Sequence, residues 1–192
     1  MEKMEKETFC PTNQEEWRQW LQENHQSKQS IWLLCYKKNS GKPSISWSDA
    51  VDQALCFGWI DSTRKSIDSD SFIQYFGKRK ANGTWSKINK EKIKHLIATK
   101  QMTQAGFDSI ETAKQNGSWT ILDEVEELII PKDLEKEFEN YAGSKDFFLS
   151  LSKSVRKMAL AWIVFAKQEN TRQKRIREIA ERSSQKIIPK QF

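Results

Sequence analysis

Arg79 sits in a basic loop, Lys78-Arg79-Lys80-Ala81-Asn82-Gly83-Thr84-Trp85, that runs into Ser86-Lys87-Ile88-Asn89. A guanidinium holds its donors in a rigid fork, so it reads carboxylate or phosphate with two parallel hydrogen bonds. Lys78 and Lys80 add positive potential, and a helix capped at Ser86 adds the positive end of its dipole. The alternative for this stretch is a solvated surface loop. A second segment, Ala54-Leu55-Cys56-Phe57-Gly58-Trp59-Ile60-Asp61-Ser62, passes from a helix through a glycine into a strand. In a strand Trp59 and Asp61 face the same side. Trp59 and Trp85 are expected either as core aromatics or as stacking surfaces for a planar, sugar-like or cationic ligand. Asp61 either pairs with Arg79 or caps a turn. If the two segments fold together, Trp59, Asp61, Arg79, Trp85 and Asn89 share one hollow suited to an anionic ligand.

A second basic pair lies near the C-terminus. Arg172 and Arg175 are three apart and share a helix face. They can grip a phosphate, an acidic partner, or the chain's own acidic block at 123–139; the internal pairing needs no ligand and is the preferred expectation. No catalytic residue is assigned. Cys56 falls near a helix C-terminus, whose dipole raises a thiol pKa and disfavours a nucleophile. His25 and His95 lack a Cys, Asp or second His at ligand spacing and read as surface or cap residues. No Cys-His or Ser-His-Asp arrangement follows from spacing, and no G-x-G-x-x-G or Walker-type loop occurs. Cys10, Cys35 and Cys56 form no C-x-x-C pair, so neither a zinc site nor a disulfide framework is expected. The thiols are expected to be reduced and buried. No metal and no cofactor is expected.

The elements that must position these residues follow from periodicity and punctuation. Thr12-Asn13-Gln14-Glu15 reads as a capping box before a helix with Trp17, Trp20 and Leu21 on one face. Ser30–Tyr36 reads as a strand ended by the turn signal Asn39-Ser40-Gly41. Ser46 caps a helix with Val51, Ala54 and Leu55 inward, closed by Gly58. Trp59-Ile60-Asp61 and Ser71–Phe76 read as two further strands joined through KSIDSD. From Ser86 onward the chain reads as helical. Inward residues are expected at Ile88, Ile93, Leu96 and Ile97, and then at Phe107, Ile110 and Ala113 in a helix from Thr103 to Gly117. Pro131 suits the first turn of a helix carrying Leu134 and Phe138. Ser144 is expected to cap a short helix with Phe147 and Phe148. Ser152 is expected to open the longest one, striped with Val155, Met158, Ala159, Trp162, Phe165 and Ala166. A last helix follows from Thr171, with Ile176, Ile179 and Ala180 inward, and the tail SSQKIIPKQF is expected to fray. The fold class is α+β, with a small N-terminal sheet of about three strands with helices and a mostly helical C-terminal part. The expected domains are 1–120 and a helical region 121–192 that packs on it or forms a small subdomain.

Composition sets the outer bounds. Hydrophobic residues are 37% and charged residues 30%, and the eight Trp and ten Phe are enough large aromatics to build a core. No apolar run reaches the roughly 18 residues of a membrane-spanning helix, so no membrane insertion is expected. MEKMEKETF has no apolar region of a secretory signal, and the expected location is cytoplasmic. The net charge of +6 is uneven, since residues 151–192 carry 11 Lys/Arg against 3 Asp/Glu. That excess suits an anionic partner or an anionic neighbouring surface, or simply solvated basic helix faces.

ALCFGWIDS and TWSKIN are similar to signature segments of the YdeI/OmpD-associated (bacteriocin-protection) family. The resemblance continues through Met102–Gly106, Ala113–Trp119, Ile130–Leu134 and Ala166–Ile176, from about Trp17 to about Arg182. Many members have Pro-Arg where this chain has Lys78-Arg79, which leaves the loop before Arg79 less constrained in φ. The resemblance implies a bacterial cytoplasmic protein linked by family name to bacteriocin protection and to the porin OmpD. It implies no catalytic residue set. The expected function is a non-enzymatic binding or stress-protection protein that recognises an anionic small molecule or a protein partner. A nucleic-acid binder using the basic C-terminal helices is the less favoured alternative, and an enzyme of unrecognised type is the third.

Overall fold

The computed structural model describes residues 7–189. Tertiary contacts divide the chain into two units. The first comprises the chain up to Gly83 together with Ile88–Trp119; the second comprises Thr84–Lys87 together with the chain from Thr120 onward.

In the first unit the elements run β1 (Thr8–Phe9), α1 (Gln14–Asn24), β2 (Ser30–Tyr36), a short 3-10 turn (Lys38–Ser40), α2 (Trp47–Cys56), β3 (Trp59–Ser66), β4 (Ser71–Lys78), α3 (Lys87–Ala98) and α4 (Gln104–Gln115). The described sheet has four strands in the order β1-β2-β4-β3, one more than expected. The addition is the two-residue β1, parallel to β2 and too short to carry a sequence period. β2 and β3 both run antiparallel to β4, with a register shift between Asp61 and Arg64. The β3–β4 hairpin is held at its tip by Asp68, whose Oδ1 accepts from Asp70 N, Ser71 N and Ser71 Oγ at 2.7–2.8 Å.

Strand alternation puts Ile31, Leu33, Cys35, Phe72, Gln74, Phe76 and Trp59 on one face, and all are buried. Helices α1 and α2 cover that face. Trp17 meets Phe76 edge-on at 5.5 Å, Trp20 meets Trp59 edge-on at 5.8 Å, and Trp17 Nε1 donates to Ala50 O at 3.0 Å. Ser46 caps α2 as expected, accepting from Asp49 N at 3.1 Å. At α1 the cap falls one residue later than the sequence suggests. Asn13 Oδ1 accepts from Glu16 N at 2.9 Å while Glu16 reaches back to Thr12 N at 2.8 Å.

In the second unit α5 (Asp123–Glu126), α6 (Lys132–Glu139), α7 (Ser144–Ser150), α8 (Lys153–Val164) and α9 (Glu169–Ser184) enclose Val125, Leu134, Phe138, Phe148, Leu160, Ile163, Ile176 and Ile179. Ser152 caps α8, accepting from Val155 N at 3.3 Å, but the longest helix is α9 with 16 residues. Helix α9 starts at Glu169, ahead of Thr171, and stays helical to Ser184, so the front of the expected frayed tail is ordered. Residues 190–192 of that tail lie outside the described residues. Pro131 is the N-cap of α6, not a first-turn residue, and Gly143 with φ +73° caps α7 one residue before Ser144.

Several apolar residues expected inside are exposed: Ile88, Ile97, Phe107, Met158 and Phe165. Helix α8 instead buries Ala159, Leu160 and Ile163. Apolar residues on α8 occupy more than one stripe, and the stripe that faces α9's Ile176 and Ile179 is the one that closes. No described helix is long and apolar enough to cross a membrane.

Candidate functional site

A cleft opens in the first unit where four chain segments meet. One lobe, of about 350 Å³, is lined by His25, Gln26, Phe57, Gly58, Trp59, Lys78, Arg79, Ala105 and Asp108. A second lobe, of about 530 Å³, adds Arg18, Gln22, Thr103 and Gln104, and the two share His25, Gln26, Phe57, Ala105 and Asp108.

Local chemistry explains why these segments converge. Gly58 has φ +72°, a conformation that favours glycine, and a Cβ there would stand 2.9 Å from Ala105 O. Its carbonyl accepts from Arg79 N at 2.9 Å, which ties the start of β3 to the end of β4. Thr103 holds the start of α4 against the end of α2, since its N and Oγ1 both donate to Cys56 O, at 3.1 and 2.6 Å. His25 caps the C-terminus of α1, donates from Nδ1 to Leu21 O at 2.9 Å, and lies 5.1 Å from the Phe57 ring.

Two cations of the cleft, Lys78 and Arg18, rest on neutral oxygens. Lys78 Nζ donates to Gln26 O at 2.8 Å. Arg18 donates to Gln53 Oε1 at 2.6 Å and Gln101 O at 2.9 Å, with its guanidinium 5.3 Å from the Phe57 ring centre. Burial pushes the Arg79 guanidinium down to about 10, against the opposing pull of the Asp61 charge, so it stays cationic at neutral pH. Trp59 is fully buried and its Nε1–H has no acceptor.

Of the residues singled out by sequence, Trp59 and Arg79 line this cleft together. Asp61 acts on Arg79 through its charge, while its carboxylate accepts from Trp47 Nε1 at 2.9 Å and Gln74 Nε2 at 3.2 Å. Trp85 is buried and belongs to the second unit, and Asn89 lies in the first turn of α3; the cleft is lined without either. Sequence reasoning missed Arg18, Gln26 and Thr103 as cleft residues and read His25 only as a cap or surface residue. The helix start at Thr103 and the cation on the α1 face were the available signals. Cys56 and Cys35 are buried, and burial raises both thiols, Cys35 to about 11. Cys10 is exposed, contrary to expectation, because it lies just beyond the short strand β1.

In the second unit Arg172 is already engaged. Its Nε and Nη2 bind the Oδ2 and Oδ1 of Asp133 at 2.6 and 3.0 Å, the internal pairing with the acidic block. Arg175 donates from Nη1 to Trp162 O at 2.5 Å and lies 5.2 Å from the Trp162 ring centre. The fork holds the Asp133 carboxyl below the usual aspartate range, so the pair stabilises the fold above the unfolded-state pKa of about 4 and is lost as pH falls through the lower folded value. Arg172→Ala is expected to cost about 1 kcal/mol at pH 7, a partly exposed bidentate pair, and less as the medium is acidified. Urea unfolding at pH 7 and at pH 3 checks this; equal losses at both would remove the ion pair as the cause.

Residues 9–109, more than half of the chain, match a family described as "Domain of unknown function (DUF8412)". The chain belongs to that family. Every residue named in lining the cleft lies inside the matched segment. A second match, to "Bacteriocin-protection, YdeI or OmpD-Associated", covers residues 127–186 and so includes Arg172 and Arg175. That match is narrower than the resemblance drawn from sequence, since ALCFGWIDS and TWSKIN fall within the first family's segment. No curated protein and no solved structure matched the chain.

Proposed function

We propose that the first unit is a binding module whose cleft takes a small anionic molecule bearing a carboxylate or phosphate, in a chain that also carries a YdeI/OmpD-associated domain. The observation that carries this is the charge balance of the cleft. Arg18 and Lys78 are anchored on neutral oxygens, Arg79 is cationic and partly buried with the Asp61 charge acting on it, and Asp108 is the lone carboxylate among the lining residues. A ligand anion would complete that balance, with charge-assisted hydrogen bonds in a partly desolvated hollow. The start of α4, where Thr103, Gln104 and Ala105 line the second lobe, adds the positive end of a helix dipole. Both lobes fall in the size range of small-molecule sites, roughly 300–1,000 Å³.

The test is a titration of the full chain with inorganic phosphate, citrate and nucleoside monophosphates, followed by tryptophan fluorescence and amide NMR shifts. Shifts are expected around Gly58, Lys78 and Ala105. Arg79→Gln is expected to weaken binding about 30-fold, the loss of a charged hydrogen bond. Silence in these residues across the panel would dismiss the reading.

A further inference from the structure

The sheet has a second face, and its composition is unusual for one turned away from α1 and α2. Alternation places Trp32, Leu34 and Tyr36 of β2, Ile73 and Tyr75 of β4, and Ile60 of β3 opposite to the buried set, and all six keep part of their surface in solvent. Register sets Trp32 directly against Tyr75 and Leu34 against Ile73. The Trp32 and Tyr75 rings meet at 5.1 Å and 70°. Cations surround these rings. Lys65 Nζ lies 5.3 Å from the Trp32 ring centre and Lys42 Nζ 4.7 Å from that of Tyr36. Lys37 Nζ binds the carbonyls of Asp68 and Ser69, and residues 28–42 hold four lysines and no acidic residue.

We propose that this face binds single-stranded nucleic acid, with bases on Trp32 and Tyr75 and phosphates on Lys42 and Lys65. The pattern of π-surfaces edged by cations matches a chain whose bases are flat and whose backbone is anionic. A duplex buries its base faces, so a stacking platform selects single strands. The two lysines now rest over ring faces through flexible stems; a phosphate draws the ammonium aside and a base takes its place on the ring. This site is separate from the cleft, because Trp32, Tyr75, Lys42 and Lys65 are absent from its lining.

The experiment is fluorescence anisotropy of a labelled oligouridylate and an oligothymidylate, each of about 12 nucleotides, with the full chain at about 50 and about 200 mM salt. Binding at the lower salt and marked weakening at the higher are expected. Trp32→Ala and Tyr75→Ala should each weaken binding at least about tenfold. Lys42→Gln with Lys65→Gln, surface changes that spare the sheet's packing, should flatten the logarithmic salt slope by about 1.4. Circular dichroism verifies that each variant is folded; if either ring variant unfolds, the lysine pair decides. No complex at the lower salt, equal affinity for a duplex, ring variants that bind as tightly as the unchanged chain, or, if a ring variant unfolds, an unchanged salt slope in the lysine pair, overturns the proposal.

Discussion

Trp59→Ala is expected to destabilise the first unit by about 4 kcal/mol, the scale of removing a large aromatic from a packed core. Trp59 is fully buried on the helix-covered face, edge-on to Trp20. It also opens β3 at the point where Gly58 turns the chain. Trp59→Phe is expected to cost far less, about 1 kcal/mol, because it keeps most of the ring and deletes an N–H that has no acceptor. Urea denaturation followed by circular dichroism measures both. A loss below about 1 kcal/mol for the alanine variant would mean that this indole is not a structural wall of the cleft. Equal losses for the two variants would mean that the N–H itself matters.

Gly106→Ala should reverse the usual sign of that substitution. Within a helix alanine normally gains about 1 kcal/mol over glycine. Here a Cβ would stand 2.4 Å from Cys56 O and 2.9 Å from Cys56 C, both backbone, and 2.7 Å from Met102 Cε. The methionine end can move aside, but the carbonyl cannot, because it is the acceptor for both donors of Thr103. Helix α4 must therefore back away from the end of α2. The expected cost is about 3 kcal/mol, typical of overpacking against a fixed backbone. The shift also moves Ala105 and Asp108, which both lobes share, so anion binding should weaken in the same variant. A thermal melt no lower than that of the unchanged protein would show that the two helices are not locked together there.

How much of the site was legible depends on how local its causes are. Arg79 and Trp59 stand out in sequence because each sits beside a chain-turning signal, a basic loop or a glycine, and the structure lines one cleft with both. Arg18 gives no such signal. It sits on a helix whose pattern explains Trp17 and Leu21, and its partners Gln53 and Gln101 are remote along the chain. Asp61 acts on Arg79 through its charge, and the donors that fix its carboxylate, Trp47, which opens α2, and Gln74, across the hairpin, were not legible in sequence. The aromatic face of the sheet was invisible for a related reason. Trp32 and Tyr75 become neighbours only through the β2–β4 register.

The α+β class, the hairpin, the caps at Ser46 and Ser152 and the turn at Gly58 were determined by sequence alone, because each depends on backbone dihedrals and hydrogen bonds among residues a few positions apart. Tertiary structure decided which apolar stripe of a helix is covered, as on α8, where Leu160 and Ile163 close and Phe165 does not. It also decided which charges meet, giving Asp133 to Arg172 and setting Arg18 and Lys78 on neutral oxygens. Burial and charge pairing are properties of what lies across a gap, and that neighbour comes from a distant part of the chain.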